Sequence, residues 1–327
     1  MVGGDPFITK SVLHITRSPW SIATITDEVE EVFGRYVIDG AMRAAGEGDM
    51  THAIRARGGS KDAFWADITP YESGSDHWIY QEGGFAIPSI YLRDHHDIYI
   101  HTTGDLPDNI EPTKIKRSAF IAAASGYYLA TMPDHGASLL RLTYADAHER
   151  LAEDGRRAVA MASDTARAGD AANIVAQGLL REQRRLRSLS RFVTLDADLQ
   201  VGTEHVARLS AALADAAKGL LSTLPPPAPR GAVDARVPVR NPAVKGPLAP
   251  GGDWLREKAG AGSVSVAIAR VPNSDDVTYE IANFVDGVRT VSEIRDAVSA
   301  EFEPLELKAV AEYLELLAKA GAVSFKR

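Results

Sequence analysis

His101 is followed by Thr102, Thr103, Gly104 and Asp105, so a histidine has a carboxylate four residues on. Upstream, Ser75-Asp76-His77 sits in a polar turn, and His95-His96-Asp97 forms a second His/Asp cluster. The chain has nine histidines and no cysteine, so any metal site must be built from His, Asp and Glu. Imidazole and carboxylate suit zinc and related divalent ions. Ser75 has no evident base partner and reads as a turn or cap residue rather than a nucleophile. His95 and His96 are adjacent, and adjacent strand residues point to opposite faces. That pair therefore reads as loop residues at a pocket rim, and His14, His52 and His77 as structural or exposed.

The elements that would position these groups follow from apolar spacing. Val12-Leu13-His14-Ile15 predicts a strand. Ser18-Pro19-Trp20 predicts a helix start, with Ser18 as cap and the helix continuing through Ile22, Ile25, Val29, Val32, Phe33 and Tyr36. Ala86–Leu92 and Ile98-Tyr99-Ile100 predict two further strands, and Pro112 opens a helix reaching Ala130. Tyr99 and His101 would then share one strand face. The alternation predicts an α/β layer with a mixed sheet and flanking helices. Ligands in such sheets bind beyond the carboxyl ends of strands, which is where His101 would lie.

Three motifs then occur in order: Gly74-Ser75-Asp76-His77, Ile87-Pro88-Ser89-Ile90, and His101-Thr102-Thr103-Gly104-Asp105. Residues 1–133 resemble peptidase family M-28, the di-zinc aminopeptidases. The resemblance implies a zinc-exopeptidase fold, two zinc ions that activate a bridging water, and a peptide substrate. It implies that His101 is a metal ligand. It places Ser75, Asp76, His77, Tyr99 and Asp105 in the second shell or substrate pocket. Where many relatives carry an aromatic residue before the ligand histidine, this chain has Ile100; a cyclase-type reaction on the same scaffold usually carries Trp there. Met1-Val2-Gly3-Gly4 is similar to a family segment that follows a metal-binding Asp. The family's other ligands and its Glu-Glu general base lie upstream of these motifs. Glu30-Glu31 falls in a predicted helix, in the wrong order to replace them. A truncated catalytic domain, inactive as it stands and with an exposed sheet edge, is the resulting expectation. The alternative is a metal-free module that binds proteins or peptides.

Beyond residue 133 the composition changes. Residues 134–224 are rich in Ala, Leu, Arg and Glu and predict helices near 143–168, 170–192 and 198–222, with a homo-oligomer surface as the expected partner role. Arg181, Arg184, Arg185, Arg187 and Arg191 read there as a solvated face. Residues 225–262 hold a run of prolines that predicts an extended linker outside any packed core.

Residues 263–327 predict a strand at Val264–Ile268 and a helix near Val277–Val285. A second helix is capped by Thr290 with Glu293, a third runs from Pro304 to Ala320, and a strand covers Val323–Phe325. That order suggests a small winged-helix-like domain. About 50 of its residues resemble the peptide-binding chaperones of quinone-cofactor biosynthesis. The domain carries seven Lys/Arg against eleven Asp/Glu, and the whole chain has a net charge of -8. That balance argues against a nucleic-acid partner. No apolar run approaches the roughly 18 residues of a membrane span.

Overall fold

In the computed structural model, Val12–Thr16 forms strand β1, with Leu13 and Ile15 buried on one face and His14 half-buried on the other. The structure describes residues 3–132, 136–191, 202–226, 232–246, 248, 253–260 and 267–326. The chain is α/β, with eleven helices and two small sheets among those residues. No helix among them is long and apolar enough to cross a membrane.

Helix α1 (Pro6–Thr9) precedes β1, and helix α2 (Thr26–Gly46) follows it. Strand β2 (Ala66–Thr69) pairs parallel to β1; after helix α3 (His77–Gln81), strand β3 (Tyr91–His95) pairs antiparallel to β1. The order β2-β1-β3 makes a mixed sheet with β2 and β3 at its edges. Helix α4 (Pro112–Ala130) and α2 cover one face through Leu13, Ile15, Val37, Ala41, Phe64 and Ile121. Each leucine, isoleucine, valine or phenylalanine among them stabilises the layer by about 1.5–3 kcal/mol when fully buried. Gly4 bridges to Ile110 in antiparallel fashion, and Glu111 donates its N–H to Gly3 O at 2.8 Å. That contact ties the segment before β1 to the start of α4.

Three sequence expectations are corrected here. The helix expected from Pro19 is a 3-10 turn at Trp20–Ile22, and the helix proper starts at Thr26. The N–H groups that would open it are taken by distant carboxylates: Ser18 N by Asp27, Trp20 N by Glu301 and Ser21 N by Glu280. The strand expected at Ala86–Leu92 lies instead at Tyr91–His95. Ala86 has φ +52°, a left-handed conformation that no continuous strand contains. Ile98-Tyr99-Ile100 is a turn, because Tyr99 N bonds to Asp97 Oδ1 at 2.9 Å and Thr102 N to Tyr99 O at 3.0 Å.

Helices α5 (Gly136–Met161), α6 (Ala168–Ser188) and α7 (Thr203–Leu221) build the second layer. They bury Leu139, Leu151, Leu186, Val206 and Leu213 together with Ile25 and Val29 of the first. The arginine run does not form one solvated face. Arg181 and Arg185 are buried, Arg184 is half-buried, and Arg187 and Arg191 are exposed. At about 100° per residue Arg181, Arg184 and Arg185 fall on one side of the helix, turned into the protein, and Arg187 falls on another.

Within the proline-rich stretch, strand β4 (Pro238–Arg240) is extended, and helix α8 (Asp253–Ala259) follows. Leu248, Leu255 and Ala259 are buried in the same core as helices α9 (Ser274–Asn283), α10 (Val291–Glu301) and α11 (Leu307–Lys319). The expectation that this stretch stays out of a core is therefore corrected. Apolar residues between the prolines give it something to bury. Strand β5 (Val323–Phe325) closes on β4 in antiparallel register. Most of the strand expected at Val264–Ile268 lies outside the described residues, and Ile268–Arg270 is a 3-10 turn. The C-terminal unit docks on the first layer, where Tyr71 stacks on Tyr279 at 5.6 Å between ring centroids. Tyr279 also donates its hydroxyl to Trp78 O at 2.5 Å.

Candidate functional site

His101 stands exposed at φ +61° in a turn held by Thr102, whose Oγ1 donates to Tyr99 O at 2.7 Å. Asp105 is exposed in the same turn, and Tyr99 is half-buried with its ring over Gly104. Ser75 and Asp76 are exposed at the start of α3. His77 is buried. Its Nε2 donates to Glu72 O at 2.8 Å, and its ring stacks on Tyr91 at 3.7 Å. Burial pushes the His77 pKa down to about 4, so the ring is neutral near pH 7. The six residues are thus divided between an exposed turn, the N-terminal end of α3 and a packed ring. They do not assemble, among the described residues, into a group that could hold zinc.

The group that can is different. His14 of β1, His95 of β3 and Glu72, in the segment after β2, present ligand atoms all within 4.8 Å of one another. His14 Nδ1 lies 2.6 Å from Glu72 Oε1, and the two imidazole rings stack at 4.5 Å. Arg93 holds Glu72 Oε2 at 3.2 Å. Burial, with His96 and His14 alongside, lowers the His95 pKa. Sequence reasoning passed over His14 and gave Glu72 no role. The available signal was the two-residue period of β1, which turns His14 away from Leu13 and Ile15.

This group borders a cleft of about 470 Å³ where all three regions of the chain meet. The first layer lends Arg17, Tyr71, Glu72, Arg93 and His95; the helical layer lends Arg150, Glu153, Asp154, Arg157, Arg181 and Arg185; the C-terminal unit lends Asn273, Asp276, Glu301 and Phe302. None of the six motif residues lines it. No protein-family model, curated protein or solved structure matches this chain.

The cleft floor is a buried ion network. Arg150 reaches Glu28 at 2.5 Å and Glu182 at 2.8 Å; Arg185 reaches Asp27 at 2.5 Å; Arg181 reaches Asp154 at 2.9 Å. Burial alone would raise the carboxyl of Glu182, but Arg150, Arg181 and Arg185 outweigh it and hold that group well below its ordinary range. Glu31 likewise falls to about 2, the cost of burial being outweighed by Arg17 and Arg150. Glu301 behaves oppositely. Burial and the neighbouring Glu280 push it well above the ordinary carboxylate range. The network fixes α2, α5 and α6 against one another and leaves Arg17, Arg93 and Arg157 partly exposed at the cleft mouth.

Proposed function

We propose that this chain is a peptide-binding module built on an aminopeptidase-type α/β layer, and that it does not hydrolyse peptides through His101. The reading is carried by one observation: the cleft draws its lining from all three regions, and the motif residues take no part in it. Clefts at junctions between structural units, with a few converging polar groups, are where ligands bind. Six arginines line this one against five carboxylates, and Glu301 is one of the five. Arg150, Arg181 and Arg185 are already paired with buried carboxylates, so the partly exposed Arg17, Arg93 and Arg157 at the mouth are the groups that would hold an anionic segment, an acidic peptide or a peptide carboxylate, through charge-assisted hydrogen bonds.

Support for the M-28-type scaffold is the mixed sheet together with the motif order, and the bridge from Gly4 to Ile110, which sets the segment before β1 beside the one that follows the His101 turn. Support for a winged-helix-like C-terminal domain is the succession α9, α10, α11 closed by the β4–β5 pair. Because the motif residues do not fit a zinc centre, no hydrolytic step is derived from them.

Two measurements on the full chain test the reading. Titration with an acidic peptide, followed by tryptophan fluorescence through Trp20 in the cleft, is expected to saturate. Arg157→Ala is expected to weaken binding about tenfold, the worth of one lost hydrogen bond to a charged group. Turnover of an aminoacyl-nitroanilide with added zinc is expected to stay at the blank rate. The reading falls if no peptide binds, or if zinc-dependent turnover is seen that His101→Ala abolishes.

A further inference from the structure

The sheet face turned away from the α2/α4 core carries an unusual set of side chains. In the β1–β3 register His14 lies opposite Arg93 and Val12 opposite His95. Residues two apart point the same way, so His14, Arg93 and His95 share that face. Glu72 joins them from the chain leaving β2, which itself pairs with β1 from Leu13 to Thr16. Hydrogen-bonded strands therefore fix both histidines, and the carboxylate lies between them. His14 Nδ1 is 2.6 Å from Glu72 Oε1, and His95 Nδ1 is 4.0 Å from Glu72 Oε2.

We infer that His14, Glu72 and His95 form a binding site for one divalent transition-metal ion of the zinc class, with its open coordination position facing the cleft. Two imidazoles and one carboxylate are a zinc donor set that leaves a fourth position for water or a ligand. The set has too few oxygens for calcium or magnesium. Bonds of about 2.0–2.2 Å put tetrahedral donor atoms about 3.3 Å apart. The donor atoms here are already within 4.8 Å, so side-chain rotation alone closes the shell and the backbone need not move.

Arg93 occupies the ion's place. Its guanidinium lies 3.2 Å from Glu72 Oε2 and donates to His95 Nδ1 at 3.4 Å, while a third bond holds Ser73 O at 3.2 Å. His95 thus offers a lone pair to a positive group, as it would to a metal. An entering ion has to displace Arg93 from Glu72 Oε2 and His95 Nδ1. This residue therefore sets the affinity. The site uses no residue of the peptidase-like motifs as a ligand, and it stands or falls independently of peptide binding.

The test is calorimetric titration of the chelator-treated full chain with zinc chloride, with the visible absorption of added cobalt as a second readout. One zinc per chain is expected. Glu72→Gln and His95→Ala are each expected to weaken binding at least about tenfold, a loss typical even of residues that only support a ligand. Arg93→Met is expected to tighten it, and His101→Ala to leave it unchanged. Far-UV dichroism checks that each variant folds. The inference is overturned if the wild-type chain neither takes up zinc nor develops the cobalt bands. It is equally overturned if His101→Ala removes the site or if Arg93→Met leaves zinc affinity unchanged.

Discussion

Arg150 of α5 and Glu28 of α2 meet with 2.5 Å between guanidinium nitrogen and carboxylate oxygen, and neither side chain is more than 3% exposed. The same guanidinium holds Glu182 of α6 at 2.8 Å. Removing it leaves two carboxylates buried without that partner. Arg150→Ala is expected to destabilise the chain by about 3–5 kcal/mol, read from the shift in urea midpoint. The exposed pair Lys218–Asp215, at 2.8 Å with both side chains 75% exposed, provides the contrast: Lys218→Ala should leave the midpoint where it is. Equal effects from the two variants would contradict the structural role given to the network.

Glu301 accepts the N–H of Trp20 at 3.0 Å, and its second oxygen is buried beside the carboxyl of Glu280. Burial, and then Glu280, raise its pKa well above that of an ordinary carboxylate. A raised group contributes stability that is present below its unfolded-state pKa and is lost as pH rises through its folded-state value. Glu301→Gln keeps the acceptor for Trp20 and cannot ionise. As pH rises above the ordinary carboxylate pKa of about 4.3, the wild-type Tm should fall progressively relative to that of the glutamine variant. Parallel curves would show that Glu301 does not hold its proton in the fold.

Two glycines should respond to alanine with opposite signs. A Cβ on Gly59 would come 2.7 Å from Glu111 Oε1 and 2.8 Å from Thr113 N. Those atoms are the N-terminal cap of α4, where Glu111 accepts from Thr113 N and Lys114 N. Gly59→Ala should cost about 1–3 kcal/mol through overpacking and a displaced cap. Gly126 lies within α4 with nothing inside 4 Å, and Gly126→Ala should stabilise by about 0.5–1 kcal/mol. Thermal melts of both variants decide the matter.

Thr290 and Glu293 form a reciprocal cap on α10: Thr290 Oγ1 accepts from Glu293 N at 3.2 Å, and Glu293 Oε2 accepts from Thr290 N at 2.8 Å. Thr290→Ala should lower stability by about 0.5–2 kcal/mol, and Thr290→Ser should restore most of it. A neutral Thr290→Ala would mean that the packing of α10 on α6 alone fixes the helix start.

The cap at Thr290 was legible because every partner lies within four residues. The same holds for β1, read from the short apolar run Val12-Leu13-His14-Ile15, for α4, opened by Pro112, and for β5. What escaped depends on residues far apart. The start of α2 is displaced because Trp20 and Ser21 surrender their N–H groups to Glu301 and Glu280, more than 250 positions away. The burial of Arg181 and Arg185 follows from carboxylates on α2 and α5 that no helical wheel of α6 contains. The His14–Glu72–His95 group joins His14 to Glu72, 58 positions on, and to His95 through the β1–β3 register. Motif spacing, by contrast, gave His101 a prominence that its exposed turn does not share with the cleft.

The pairing of β4 with β5 sets Pro238 opposite Phe325, and the network sets Glu28 opposite Arg185 across 157 positions. Both closures span long stretches of chain, and non-local contacts of this kind slow folding because loop entropy is lost before they form. During synthesis, residues 238–240 leave the ribosome long before 323–325 exist to pair with them. The proline content of the earlier strand then has a second consequence. Proline has no N–H to lend to another strand, so this edge is a poor template for aggregation while it waits.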